Sequence, residues 1–253
     1  MLPYRDYLAH IDADAHLLGA AASLGLDADV PCCPDWRVAD LLRHITRVHA
    51  SRVDIISQGL IDRWPPRREI PAGVEPIDWY RSVASELSQV LTTADPAAPA
   101  ITHVRERTVG FWVRRMAHET LIHRVDAEQA HGYESAVDPE LAIDGAAELL
   151  EVLVSDFPDE GEFLPDDALV EVRTADRRWL VRLGEHTITE GNRPAVRPRL
   201  TVVAGGEPGA TISGEPDRVM LWLWGRASQE QVTVDGGVDL AARLREVLSL
   251  IHI

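Results

Sequence analysis

FWVRRMAHETLIHRVDAEQAHG, residues 111–132, sets apolar and ionisable residues at helical intervals. It predicts a helix from near Gly110 to Gly132, the fourth in the chain. At 3.6 residues per turn, Trp112, Met116, Glu119, His123, Asp126 and Ala130 make one continuous stripe. The upper half of that stripe is apolar, so it is expected to face the core of a helical bundle. Glu119, His123 and Asp126 then stand where charge is costly unless it is paired or bound to a cation.

Glu119 and His123 are four residues apart, a spacing that converges two side chains on one metal ion. The same spacing also suits a solvent-facing Glu–His couple. The His-Glu-x-x-His signature of zinc proteases is absent: His118 and His123 are five apart and diverge, and position 122 is Ile. A further ligand has to come from another helix. WRVADLLRHITRVHA, residues 36–50, offers His44 on the Leu41–Val48 face and His49 on the Leu42–Ile45–Val53 face. Periodicity leaves both open. Either would complete a set of two histidines and one carboxylate with a position left for water or substrate.

Residues 1–157 read as helices. The first spans about Tyr4 to Leu24. A second, with Asp35 at the N-cap, runs from Trp36 to Ser57, and a third from Ile77 to Thr93. The proline-rich segment Arg63 to Pro76 is a loop, and a fifth helix runs from Pro139 to Phe157. Mostly short links predict an antiparallel bundle. An acidic connector, Ser155 to Asp167, ends the helical region. Beyond it, alternation predicts strands at residues 169–174 and 179–183, with others near 200–203, 211–213 and 232–234. Helices near Asp217–Trp224 and Val238–Leu250 complete an α+β domain over residues 165–253.

Acidic residues number 41 and basic residues 25, for a net charge of −16. That balance disfavours nucleic acid and anionic membrane surfaces as partners, while a locally positive pocket remains open to small anions. Cys32 and Cys33 are adjacent, so a disulfide framework is excluded and a cytoplasmic setting is expected. They are read as two small hydrophobes packing the entry of the second helix. The N-terminus does not read as a signal peptide, and no apolar run approaches the ~18 residues of a membrane span. All 25 basic residues are arginine, as expected of a high-GC genome. Dinucleotide, P-loop and nucleophile-elbow motifs are absent. Trp112, Trp222 and Trp224 are read as core.

PCCPDWRVADLLRHI (residues 31–45), RRMAHETLIHRVDAEQAHG (114–132) and LWLWGR (221–226) together resemble the mycothiol-dependent maleylpyruvate isomerase family of actinobacteria. The resemblance covers nearly the whole chain in order. It implies a DinB-like four-helix bundle followed by a small sterol-carrier-like α+β domain. By matching motif it implies His44, rather than His49, as a zinc ligand with Glu119 and His123. Arg226 of the W-G-R motif is then a candidate to hold a substrate carboxylate, and Asp126 to orient a ligand or an arginine.

The implied cofactors are Zn2+, or another divalent metal, and mycothiol. The implied activity is cis–trans isomerisation of maleylpyruvate-like unsaturated acids. Transfer of the thiol to another electrophile, and a non-catalytic metal- or ligand-binding module, are the alternatives. A small-molecule thiol and an electrophilic acid are the expected partners, and the chain is expected to be a monomer.

Overall fold

Capping residues and prolines set the helix ends. In the computed structural model, which describes residues 1–155, 161–190 and 193–249, four helices come first. These are α1 (Tyr4–Ala22), α2 (Val38–Ser57), α3 (Pro76–Thr93) and α4 (Val109–Ala130). Pro76 occupies the first turn of α3, where its missing N–H costs nothing. The Thr108 hydroxyl accepts from the Phe111 backbone N–H at 3.1 Å and starts α4. Gly132, at φ +76°, ends it: Gly132 N–H reaches Gln129 O and Tyr133 N–H reaches Glu128 O, both at 3.0 Å.

The start of α2 differs from the expectation. Its N-cap is Arg37 instead of Asp35, and the Asp40 carboxylate accepts from the Arg37 backbone N–H at 3.1 Å. Trp36 and Arg37 are extended because they close a small loop: Val30 N–H bonds Trp36 O at 2.9 Å, and Arg37 bridges to Asp29.

In the bundle, α1 packs on α3 and α4, and α2 packs on α3 and α4. Leu18, Leu41, Leu42, Ile45, Tyr80 and Ala127 form one buried cluster at the centre. Each large aliphatic there contributes about 1.5–3 kcal/mol by leaving water. Arg68 ties the proline-rich loop to the bundle, pairing with Asp54 of α2 at 2.6 Å and Glu86 of α3 at 2.8 Å.

The chain divides into two compact units, Met1–Thr102 with Glu106–Ala136, and Val137–Ile253 with His103–Arg105. The second unit begins with α5 (Pro139–Ala147), capped by Asp138, and a π-helical segment, Glu148–Leu153. Residue 157, the expected end of the first domain and of the fifth helix, lies outside the described residues.

Five strands follow: β1 (Gly161–Thr174), β2 (Arg177–Glu190), β3 (Arg193–Val202), β4 (Ala210–Gly214) and β5 (Thr233–Gly236). Their order in the sheet is β3-β2-β1-β4-β5, with β1 and β4 parallel and the other pairs antiparallel. Helices α6 (Pro216–Leu223) and α7 (Val238–Ser249) pack on this sheet. Trp222 and Trp224 are buried, as expected.

Residues 161–167, expected to belong to an acidic connector, are instead the first half of β1. The register explains why they read as a break. Pro165 pairs with Gly184 and Leu169 with Arg182, so residues 166–168 bulge out against a single residue of β2. A glycine is required opposite, since a Cβ on Gly184 would lie 2.4 Å from Leu164 O. Among the described residues, no helix is long and apolar enough to cross a membrane.

Candidate metal centre

The predicted stripe of α4 is buried, but so is nearly all of the helix from Val109 to Ala127. Burial is not one-sided because α1 and α2 both pack against α4. Each polar side chain on the helix therefore needs a partner. Arg124 pairs with Asp14 of α1 at 3.1 Å and donates to Ala136 O at 2.7 Å. Arg115 donates to Glu119 Oε2 at 2.6 Å, one turn away.

The other carboxylate oxygen of Glu119 has a different environment. Oε1 stands 3.4 Å from His123 Nε2 and 3.5 Å from His44 Nε2. All three atoms are buried and none makes a hydrogen bond. They lie within 4.8 Å of one another. Three orphaned lone-pair donors around one point are costly unless a cation sits among them. The spacing suits one: ligands about 2.0–2.1 Å from a tetrahedral zinc lie about 3.4 Å apart.

The tautomer needed for such binding is already set. His123 Nδ1 is 3.0 Å from Asp126 Oδ2, so an Nδ1–H donated there leaves Nε2 with its lone pair facing Glu119 and His44. Asp126 is itself held at its other oxygen, which accepts from the Cys32 thiol at 2.9 Å. Cys32 also packs against the bundle core, as expected, but its polar role was not anticipated.

Electrostatics favour positive charge at this point. Burial opposes charge on His123, yet Asp126 and Glu119 outweigh it and raise the ring's pKa to about 9. Burial likewise opposes charge on Glu119, but Arg115 and the two histidines hold its carboxyl well below the ordinary carboxylate value. A divalent cation meets that demand in place of a proton.

Tertiary structure also separates the two candidate histidines of α2. His44 reaches the cluster, with Trp36 against its ring at 5.1 Å between centroids. His49 turns away and shares a 3.0 Å hydrogen bond with Thr120 Oγ1. Burial lowers its pKa to about 3, so it is a neutral core histidine. His118 is buried against Tyr7 and outside the cluster. Arg226 belongs to the second unit, where it donates to Trp224 O at 2.6 Å.

Glu119 and His123 are almost fully buried, whereas the His44 side chain is 26% exposed. It opens onto a cleft of about 690 Å3 on the first unit, whose lining includes four arginines and two tryptophans. The sequence did not point to Arg115, to the contact of the Cys32 thiol with Asp126 or to this cleft. Only Arg115 left a signal, the i,i+4 spacing to Glu119.

Fold and site together define a two-unit protein: a helical bundle with a three-ligand cradle for a cation, then an α+β unit. Residues 8–128 match the family described as the mycothiol maleylpyruvate isomerase N-terminal domain. Two crystal structures titled as mycothiol-dependent maleylpyruvate isomerase, one of them a histidine-to-alanine variant, share the fold at TM-scores of 0.65 and 0.66. Identity is 13% and 12%, over 94% of this chain and 95% of each of those. No curated protein matches the chain in sequence. The first unit of the chain, over residues 8–128, thus carries the mycothiol maleylpyruvate isomerase N-terminal domain, and the chain as a whole shares the fold of those two structures.

Proposed function

We propose that this chain is a metal-dependent enzyme that uses a low-molecular-weight thiol, mycothiol, to isomerise a maleylpyruvate-like cis-unsaturated acid. One observation carries the reading: three buried, hydrogen-bond-free ligand atoms, from His44, Glu119 and His123, surround one point beside an open cleft. The family and the two structural neighbours, whose titles name that activity, support it. Two nitrogens and one carboxylate oxygen suit zinc, and the cytoplasm is the compartment that goes with a reduced thiol. When bound, the cation supplies a Lewis acid that keeps a thiol in its thiolate form at neutral pH.

The chain's own residues do the rest. His44, Glu119 and His123 hold the cation. Arg115 anchors Glu119 through Oε2 and leaves Oε1 for the metal. Asp126 keeps His123 in the ligating tautomer. Arg226 is the second unit's candidate to hold a substrate carboxylate.

When bound, the thiol would supply a nucleophile for reversible addition to the cis double bond, which could turn while single and return as trans with no net gain or loss of atoms.

The test is metal analysis of protein purified without a tag or chelator, with Glu119→Gln alongside, followed by assay with mycothiol and maleylpyruvate. About one zinc per chain, lost in the variant, together with conversion of cis to trans acid, is the expected result. No metal uptake when zinc is offered would overturn the reading. A retained thiol adduct in place of the trans acid would convert it to a thiol transferase.

A further inference from the structure

The cleft over His44 is basic in a chain of net charge −16: Arg43, Arg47, Arg52 and Arg67 line it against Asp35 and Asp40. Two of these arginines already have carboxylate partners. Arg43 pairs with Asp40 at 2.8 Å, and Arg47 with Glu69 at 2.5 Å. Arg52 does not. Its guanidinium carbon lies 4.1 Å over the Trp112 ring and 5.7 Å from that of Trp64.

Trp112 is a fully buried platform, with its indole N–H donating to Ile101 O at 2.8 Å. Among the described residues, Arg52 makes one hydrogen bond, from Nη1 to Ser51 Oγ at 3.0 Å. Its Nε is buried without a partner, and no carboxylate pairs with it among the described residues. Arg68, sixteen residues away on the neighbouring loop, shows the usual alternative by bridging two carboxylates. Arg52 is thus a cation fixed by aromatic stacking, with N–H groups left over, in a cleft that also contains His44. Burial opposes that charge, and the Glu119 carboxylate supports it only through space, without a direct ion pair, so an arriving anion would add the contact it lacks.

We propose that Arg52 is the anion-holding residue of this cleft, pairing with a carboxylate of the substrate so that its electrophilic carbon is presented on the His44 side. The assignment rests on the proposed isomerase reading for the rest of the reaction, though not for anion binding itself. The ligand class is an acid with a carboxylate next to an unsaturated bond. A planar guanidinium suits that class because it binds a carboxylate with two parallel N–H bonds while its face stays on the indole.

The test uses the full chain loaded with zinc and, separately, the chelated chain. Maleate and its neutral diamide are titrated by calorimetry and by tryptophan fluorescence, since Trp64 and Trp112 flank the guanidinium. Maleate is expected to bind and to change the fluorescence, and the diamide to bind at least 10-fold more weakly. Arg52→Gln is expected to weaken maleate about 10- to 100-fold, the range of a lost charge-assisted pair. Arg52→Lys retains part of the affinity, and Arg43→Gln, whose cation is already paired, changes it less than about 3-fold.

Zinc content and melting temperature show that each variant is folded. The diacid–diamide comparison needs no variant at all. Equal binding of maleate and diamide by the parent chain, wild-type affinity in Arg52→Gln, or no maleate binding by the parent chain would each overturn the assignment. Failure of zinc binding alone overturns the isomerase reading and leaves the titration of the chelated chain to decide on Arg52.

Discussion

His49 makes acid sensitivity a quantitative test of how the bundle is packed. The ring is completely buried between α2 and α4, bonded to Thr120 and 6.2 Å from the Tyr80 ring. Arg52, His44 and His123 bear on it with repulsion once charged, and only Glu119 favours its protonated form. Burial dominates and lowers its pKa from 6.5 to about 3. A base whose folded pKa is depressed binds its proton first in the unfolded chain. The stability it contributes is therefore present above pH 6.5 and is lost as pH falls from there towards 3.

Linkage between those two pKa values gives a loss of about 2 kcal/mol between pH 7.5 and pH 5, with a limiting slope near 1.4 kcal/mol per pH unit. The assay is urea unfolding of the wild type and His49→Gln at both pH values, with chelator present so that metal release does not enter. Gln keeps a polar group near Thr120 but does not titrate. The variant loses about 1 kcal/mol at pH 7.5 through imperfect filling of the site. On acidification it should be spared the 2 kcal/mol that the wild type gives up. Parallel losses in the two proteins would show that His49 takes up its proton as readily in the folded as in the unfolded chain, and the argument from burial would fail.

Three more outcomes follow from the site and its support. Asp126→Asn should weaken zinc about 10- to 100-fold, measured by competition with a chromophoric chelator, because His123 loses its orienting acceptor; unchanged affinity would remove Asp126 from the site. Cys32→Val keeps the packing but removes the donor to Asp126, so zinc should weaken in the same assay by less than it does in Asp126→Asn. An effect as large as that of Asp126→Asn would mean that Cys32 holds the cation itself. Gly184→Ala forces a Cβ to 2.4 Å from Leu164 O and should destabilise the second unit by about 3 kcal/mol in urea, while zinc binding to the first is untouched. Wild-type stability would show that the strand edge at Leu164 yields freely.

Much of this was legible in residue order. The i,i+4 pair Glu119–His123, with Asp126 three residues on, is a property of the helix itself, so helical geometry puts the three side chains on one side of α4 before any packing is known. Alternation from Leu169 to Thr174 likewise reveals the buried half of β1, while the half before the bulge stays hidden because Pro165, Asp166 and Asp167 imitate a turn. Other features depend on contacts between segments far apart in the chain. Both His44 and His49 sit on apolar faces of α2, and only the rotation of α2 against α4 sends the first to Glu119 and the second to Thr120. The thiol of Cys32 on Asp126, and Arg52 on Trp112, join residues 94 and 60 positions apart. Sequence period determines which side chains share a face; which face meets which neighbour is decided by how the side chains interlock when the helices pack.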